Sequence, residues 1–207
     1  MIVSESLKFV FVAIPKTGTH SIRRALRPHM SDDDMEQVRL FEEKAFPIPE
    51  LANLRHGHIS LAQLKPHLDP SKFDAFFKFA FVRNPFDRFV SYCAFMTRKG
   101  GEFEKDPKRI MWYILRDPGP RSHILFQPQS SFVADSGGNL LTDYIGRVET
   151  MQDSFDKVCD RIGIPRAELE KTNESRRSDY RQYYDDGLRD GVAKLYARDL
   201  ELFGYDF

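Results

Sequence analysis

Two short segments of the chain are dense in apolar residues, and aromatic and β-branched residues dominate both. They cover residues 8–14 and 76–82, and a third segment of similar character covers residues 144–148. Apolar runs of this length are typical of strands buried on both faces of a sheet. A polar turn that contains proline follows each of the first two runs. We therefore predict three core strands, two of which lead directly into such turns.

Apolar residues recur at helical spacing between and after these strands, and glycine or proline ends most of the helical stretches. A hairpin turn is predicted at residues 136–139, where the sequence is Ser-Gly-Gly-Asn. We expect the apolar side of the last helix to pack on the sheet. The predicted helices run from Thr19 or His20 to Pro28, from Asp87 onward, over 153–162 and over 185–203, with a helical turn at 61–64.

Residues 31–46 form an acidic stretch that begins with three consecutive aspartates, Asp32, Asp33 and Asp34. Negative charge is favourable at the positive end of a helix dipole, so we interpret the triplet as the start of a helix. This interpretation is preferred over a metal site.

Strands that alternate with helices are typical of the α/β class. We predict a three-layer, P-loop-like domain with a central, mainly parallel sheet flanked by helices. The chain shows neither an internal repeat nor a dividing linker, so residues 1–207 are expected to form one domain. In such folds ligands bind at the carboxyl ends of the strands.

The charge balance excludes a global electrostatic attraction to polyanions. Lys plus Arg and Asp plus Glu number 31 each, so neither a nucleic acid nor an anionic membrane is expected as a partner, and any anion site must be local. The apolar stretch at residues 9–14 is far too short to span a membrane, and no signal-peptide pattern precedes it. Cys93 and Cys159 lie outside redox and zinc motifs, and a reducing, cytoplasmic location fits best.

The segment from Ile14 to Ser21 lies between the first strand and the first helix and predicts an anion site. Helix-start N–H groups, a lysine and several hydroxyls would all face a bound anion there. The lysine precedes the glycine and a second glycine is missing, so the segment departs from the nucleotide-triphosphate loop and fits a metal-free phosphosulfate better. The charge would come from Lys16 and the hydroxyl donors from Thr17, Thr19 and Ser21.

A second strand–turn–helix junction predicts a second anion site. Arg83 follows the strand at 76–82, and Ser91 lies about two helical turns further on, so a guanidinium and a hydroxyl can grip one phosphate. The alternative for either junction alone is an ordinary turn, with Arg88 paired to an acidic neighbour. Two sites in one sheet imply a ligand with phosphate groups at both ends.

These residues resemble the sulfotransferase superfamily. Residues 15–19, Pro-Lys-Thr-Gly-Thr, look like its 5'-phosphosulfate loop, and residues 83–92 look like its 3'-phosphate motif. His-Gly-His at 56–58, Arg-Val-Glu at 147–149 and the ending at 199–205 resemble the branch that contains heparan sulfate 2-O-sulfotransferase and the chondroitin and dermatan sulfotransferases.

The resemblance implies a donor, an acceptor and residue roles. The donor would be 3'-phosphoadenosine 5'-phosphosulfate, and the partner would be a hydroxyl-bearing acceptor, in this branch a glycan. Lys16 would contact the phosphosulfate bridge, and Arg83 and Ser91 the 3'-phosphate. The 5'-phosphate would be held by Gly18, Thr19, His20 and Ser21. Residues 171–177 match the cofactor-covering loop only loosely, and Arg177 is its candidate ligand.

His58 is the first candidate for the base that takes the acceptor proton, and His56 is the second. Histidine has an ordinary pKa near 6.5 and is the usual base at neutral pH. A zinc site would need a third ligand, which the sequence does not suggest, and a structural role for both rings stays open. Glu149 either orients a histidine, binds the acceptor or forms a buried structural pair with Arg147.

Two rival functions stay open. A nucleotide or phosphosugar kinase would need magnesium and a strand-end carboxylate, and a non-catalytic domain would bind a phosphorylated or sulfated ligand without needing a base. Arg176, Arg177 and Arg181 either close over the nucleotide, meet an anionic acceptor or form a solvated helix face. Four aromatic residues either line an acceptor cleft or belong to the core: Tyr92, Phe95, Trp112 and Tyr113.

Overall fold

The computed structural model describes residues 1–37, 46–170 and 179–207. Among these residues, one compact unit comprises 1–82 and 129–170, and a second comprises 83–128 and 179–207. The expectation of one domain over residues 1–207 stays a prediction.

The first unit contains a five-stranded sheet with the order β3-β1-β2-β4-β5. Strands β2, β4 and β5 are parallel neighbours, and the antiparallel strands β1 and β3 extend the sheet beyond β2. The strands are β1 Ile2–Ser4, β2 Phe9–Val12, β3 Met35–Glu36, β4 Phe77–Val82 and β5 Tyr144–Arg147.

Phenylalanines pack one face of this sheet. Phe11 and Phe79 stack on adjacent strands with ring centroids 5.2 Å apart, and both are fully buried. Ile22 and Phe155, which belong to two helices of the unit, join the same apolar cluster. The helices of the first unit are α1 Thr19–Leu26, α2 Pro49–Ala52, α3 Leu61–Leu64, α4 Pro70–Ala75, α8 Ser130–Val133 and α9 Met151–Ile162.

The second unit is built from helices around its own core. Phe86, Phe89, Met111 and Tyr196 are almost fully buried in that core. Asn84 begins the longest helix of the unit, because its side-chain Oδ1 accepts a hydrogen bond from the Phe86 N–H at 3.0 Å. The helices are α5 Pro85–Met96, α6 Glu102–Lys105, α7 Pro107–Arg116, α10 Asp186–Leu195 and α11 Ala197–Phe203.

The structure confirms the α/β class, with a central sheet whose middle strands are mostly parallel and are flanked by helices. The three predicted strands correspond to β2, β4 and β5. The predicted helices after β2, after β4 and before Gly163 are present, and the turn at 136–138 joins the bridged residues Ala134 and Leu140. Strands β1 and β3 were not predicted, because each is too short to carry a period.

The interpretation of the acidic triplet as a helix start is wrong within the described residues. Met35 and Glu36 form strand β3, directly after the triplet. The buried Asp34 carboxylate accepts hydrogen bonds from the hydroxyls of Ser4 and Ser6 and from the Ser31 N–H, at 2.8–3.0 Å. These bonds lower the pKa of Asp34 against the opposing effect of burial, which raises it. The Asp34 carboxylate therefore holds together the turns that precede β3 and follow β1. Residues 38–45 of the acidic stretch lie outside the described residues.

The expectation for the last helix needs two corrections. The stretch is two helices, α10 and α11, which meet at Tyr196, where φ is −113° and ψ is 28°. The apolar side, with Leu188 and Val192, packs against α5 and α7 in the core of the second unit and not on the sheet. A helical period shows which side is buried but not what covers it.

Candidate active site

The loop between β2 and α1 is short and tied by its own hydrogen bonds. The Thr17 hydroxyl donates to the Ile14 carbonyl at 2.9 Å, and the Ser21 N–H donates to the Gly18 carbonyl at 3.1 Å. Thr17 is 1% exposed, so its hydroxyl shapes the loop from the inside. The predicted contact between Thr17 and a phosphate stays a prediction.

Two residues of this loop adopt the left-handed conformation. Lys16 has φ 66° and Gly18 has φ 72°. A non-glycine residue with positive φ is strained, and such strain concentrates at functional sites. Left-handed residues also turn successive backbone N–H groups toward one concave face, which is a common anion-binding arrangement. The backbone at Lys16 thus has a strained conformation that is suited to binding an anion.

Gly18 is the N-cap of α1 and has no side chain to accept the first N–H groups of the helix. The first turn contains no acidic residue, so the positive end of the helix dipole is not neutralised locally. Thr19 and Ser21 are buried, and His20 is exposed. The start of α1 can therefore offer backbone N–H groups to an anion.

Cations surround the start of α1. Partial desolvation of the exposed His20 side chain lowers its pKa, and four positive side chains lower it further. Three of the four are paired with carboxylates, Arg23 and Arg27 with Glu36 and Arg24 with Glu170, so their positive field is partly offset. The four side chains are Arg23, Arg24, Arg27 and Lys16.

His58 lies against the strand end that precedes the loop. Its Nδ1 is 2.6 Å from the carbonyl oxygen of Ala13. A carbonyl only accepts, so Nδ1 carries the proton and donates. Burial lowers the pKa of His58 to about 3, so the ring is neutral at pH 7 and Nε2 keeps its lone pair. The fold therefore fixes the tautomer that a general base needs at Nε2.

His56 lies beside His58, with ring centroids 6.2 Å apart. Burial lowers the pKa of His56 as well. The two rings are close enough for one to influence the other, as an extended His-Gly-His segment predicts.

Arg23 and Gln37 position the histidine segment, and sequence reasoning missed both. The buried Arg23 guanidinium donates to the carbonyls of Gln37 at 3.0 Å and Gly57 at 3.3 Å. The Gln37 amide donates to the His56 carbonyl at 2.8 Å. These contacts join residues that are distant in sequence, and the only available signal was an arginine on the apolar side of a short helix.

The β2–α1 loop and the end of β5 both contact helix α9. A Cβ on Gly18 would lie 2.6 Å from Met151 Cε, so the loop packs directly on the start of that helix. The Arg147 N–H, at the end of β5, donates to Ser154 Oγ at 3.1 Å. Glu149 is exposed, and both alternatives for its role stay predictions.

The second motif, residues 83–92, belongs to the second unit. Arg83 follows the last residue of β4, and its Nε donates to Asp87 Oδ2 at 2.7 Å. This ion pair fixes the plane of the guanidinium. Ser91 lies on α5 and is 4% exposed. Binding of a 3'-phosphate by Arg83 and Ser91 stays a prediction.

Arg88 has a structural role in the core of the second unit. It is 1% exposed, donates to the carbonyls of Leu125 and Gln127, and lies over the ring of Tyr196. A buried guanidinium is stable when its donors meet acceptors such as these.

The remaining aromatic and arginine candidates from the sequence analysis differ in solvent exposure. Tyr92 belongs to the core of the second unit, whereas Tyr113 is 65% exposed. Arg181 pairs with Asp179 and lies over the ring of Tyr180. Arg176 and Arg177 lie outside the described residues.

Among residues 1–37, 46–170 and 179–207, no cluster of three or more His, Cys, Asp or Glu side chains could hold a metal ion. In the same ranges, no helix has the length and apolar character needed to cross a bilayer.

A comparison with protein families gives one finding. A family model described as "Sulfotransferase family" matches residues 1–206. No curated protein and no solved structure matches the chain significantly.

Proposed function

The chain belongs to the sulfotransferase family, and from this premise we propose that it transfers a sulfuryl group from 3'-phosphoadenosine 5'-phosphosulfate to a carbohydrate hydroxyl. The observation that carries the donor assignment is the β2–α1 loop. Its left-handed Lys16 and its uncapped helix start both favour a phosphate ester.

In the donor, 3'-phosphoadenosine 5'-phosphosulfate, the sulfuryl group is bonded to the 5'-phosphate, which is the leaving group. Lys16 and the backbone N–H groups at the start of α1 would hold the 5'-phosphosulfate, together with the hydroxyls of Thr19 and Ser21. Arg83 and Ser91 would hold the 3'-phosphate. Arg177 stays part of the proposal as a further ligand from outside the described residues.

Lys16 stabilises the charge that grows on the departing phosphate oxygen. Its ammonium and the helix-start N–H groups are already oriented by the fold, so they need little reorganisation at the moment of transfer. Because the leaving oxygen is more negative in the transition state than in the bound donor, these groups lower the barrier.

His58 removes the acceptor proton at Nε2. The Ala13 carbonyl fixes its tautomer, and its neutral state at pH 7 leaves the lone pair ready. A pKa of about 3 makes a weak base, but the charge of a bound phosphosulfate would raise it. His56 is the alternative base.

A carbohydrate acceptor is supported by the family, which includes carbohydrate sulfotransferases such as heparan sulfate 2-O-sulfotransferase. Our prediction of a cytoplasmic location is part of the proposal and rests on the two lone cysteines.

The proposal is tested by calorimetric titration with 3'-phosphoadenosine 5'-phosphate in metal-free buffer. We expect micromolar binding by the wild type and losses of at least tenfold in Lys16→Ala and Arg83→Ala, since each removes a charge-assisted contact. Lys72→Ala, an exposed lysine paired with Glu5, is the matched control and should bind normally.

The result separates the rival functions. Absence of binding with and without magnesium would refute the donor assignment, and binding that requires magnesium would favour a kinase. If the bisphosphate binds but no sulfuryl transfer reaches any carbohydrate in an acceptor screen with the sulfated donor, the carbohydrate acceptor is wrong.

A further inference from the structure

The histidine segment, residues 56–58, is attached to both ends of the β2–α1 loop. Before the loop, the Ala13 carbonyl accepts a hydrogen bond from His58 Nδ1 at 2.6 Å. After the loop, Arg23 Nη2 donates to the Gly57 carbonyl at 3.3 Å. The loop that carries the proposed donor ligands therefore lies between two contacts with the segment that carries the candidate base.

Arg23 lies one helical turn after Thr19, the first residue of α1. At a rise of about 1.5 Å per residue, the two positions are about 6 Å apart along the helix axis. Both side chains belong to the buried side of the helix. The helix start that is proposed to hold the 5'-phosphosulfate and the arginine that holds the histidine segment are therefore parts of one short element.

The contacts of Arg23 use the planar shape of its guanidinium. Nη2 also donates to the Gln37 carbonyl at 3.0 Å, and Nη1 lies 3.5 Å from Glu36 Oε1. The side chain is 4% exposed, so these groups of the protein orient it. A lysine has the same charge but a single flexible ammonium group, which does not reproduce the fixed directions of a guanidinium. The position therefore needs the geometry of arginine as well as a cation.

The charge of Arg23 weakens the base whose segment it holds. Burial is the main reason why the pKa of His58 is low, at about 3, and three charged or titratable groups of the described chain lower it further: the Met1 amino group, Arg23 and His56. Removal of Arg23 would thus raise the pKa of His58 and make the ring a stronger base. A favourable effect of Arg23 on the rate therefore has to come from the position of His58 and not from its basicity.

We propose that Arg23 is a positioning residue for sulfuryl transfer, which holds the histidine segment so that His58 faces the acceptor hydroxyl beside a donor bound at the start of α1. The inference rests on the proposed function, since it takes His58 as the base. It adds a residue that touches neither donor nor acceptor and acts through His58. Displacement of a reacting group by about 1 Å can lower a rate about 10²-fold.

Arg23→Met removes the guanidinium and keeps an unbranched apolar side chain. The carbonyls of Gln37 and Gly57 also accept hydrogen bonds from the Met1 amino group, so each keeps a donor in the variant. With the acceptor that the screen identifies, we expect the turnover number to fall about 10–10²-fold while the KM for the sulfated donor stays unchanged. Arg23→Lys keeps the charge and can donate to one carbonyl, so it should lose less.

Gln37→Met disturbs the same segment without removing Arg23. The Gln37 side-chain amide donates to the His56 carbonyl at 2.8 Å, whereas the Gln37 carbonyl that accepts from Arg23 stays in place. Turnover should fall in this variant too, again at an unchanged KM for the donor. Arg166→Met removes an exposed arginine of the same unit, which is paired with Asp160, and is the matched control with wild-type turnover. If Arg23→Met does not fold, Arg23→Lys and Gln37→Met carry the test.

Nitrogen NMR of the histidine rings reports on His58 without any turnover. In the wild type at pH 7 the ring should carry its proton on Nδ1, which donates to the Ala13 carbonyl, and comparison with His58→Asn assigns its signals. In Arg23→Met the released segment should let the second tautomer, with the proton on Nε2, become populated. Arg166→Met should keep the wild-type spectrum.

The outcome is read separately from that of the proposed function. Arg23→Met should bind 3'-phosphoadenosine 5'-phosphate with wild-type affinity, and a loss of affinity as large as that of turnover would overturn the inference, because Arg23 would then hold the donor. Unchanged turnover, or an unchanged His58 tautomer, would overturn it as well. If the wild type binds no bisphosphate, the proposed function fails, and the NMR comparison alone decides whether Arg23 positions the ring.

Discussion

At the scale of single residues, the loop after β2 combines strain and charge. Lys16 holds a positive φ that glycine would adopt more easily, yet the position carries the ammonium that the proposed chemistry needs. A side chain at Gly18 would be strained, because its φ is 72°, and it would displace the end of the Met151 side chain. The chain therefore accepts backbone strain at one position and needs glycine at the other.

Replacing Lys16 by Met should lower the turnover number of sulfuryl transfer about 10²–10³-fold, as removal of one preorganised charge-stabilising group does. Backbone strain at this position is the same for any non-glycine residue, so the variant should fold. Lys16→Arg keeps the charge and should lose less. The measurement is steady-state kinetics with the sulfated donor, and equal turnover in wild type and Lys16→Met would contradict the role of Lys16.

His58 predicts a specific pH dependence of stability. The pKa of His58 is about 3 in the folded protein and near 6.5 in the unfolded chain, so the unfolded chain binds more protons between these values. The contribution is fully present above pH 6.5 and is lost as the pH falls toward 3, by up to about 1.4 kcal/mol per pH unit.

His58→Asn removes this titration and can keep an N–H donor for the Ala13 carbonyl. We expect the free energy of unfolding of the wild type to fall more steeply between pH 6.5 and 4.5 than that of the variant, in urea titrations at each pH. Parallel pH profiles would show that His58 is not buried as a neutral ring.

At the scale of elements, contact between neighbouring strands limits which residues the sheet accepts. Gly146 on β5 pairs with Phe81 on β4. A Cβ on Gly146 would lie 2.8 Å from Phe81 Cε1. The phenylalanine ring thus covers the glycine and fills the space that a side chain would take.

Gly146→Ala should destabilise the protein by about 1–3 kcal/mol, because an added methyl group overpacks the contact with Phe81. Gly119→Ala, in an exposed turn, is the control and should stay within about 0.5 kcal/mol of the wild type. Chemical denaturation measures both. An unchanged midpoint for Gly146→Ala would mean that the phenylalanine can move aside at no cost.

At the scale of the whole molecule, two separate cores support the candidate residues. Aromatic and aliphatic side chains around the sheet support the β2–α1 loop, and the helical core of the second unit supports Arg83 and Ser91. A ligand that binds only the folded chain stabilises it by mass action.

Addition of 3'-phosphoadenosine 5'-phosphate at 100 times its dissociation constant should stabilise the wild type by about 2.7 kcal/mol, which is about 5–10 °C in Tm. A metal chelator should not change the shift, since the predicted site uses N–H groups and cations. Lys16→Ala should show a smaller shift at the same concentration. Calorimetric unfolding scans provide the measurement, and a shift that the chelator abolishes would contradict the metal-free site.

The sequence by itself determined the strand–loop–helix unit around Lys16 and Gly18, because apolar period, proline, glycine and lysine there act on neighbouring residues. It also predicted β4, β5 and the helices α1 and α9, whose patterns are local. Tertiary structure decided the rest: the role of Asp34, the Arg23 and Gln37 contacts, the tautomer of His58 and the helices that cover α10. Each depends on burial or on a partner far away in the chain, and a linear pattern does not specify either.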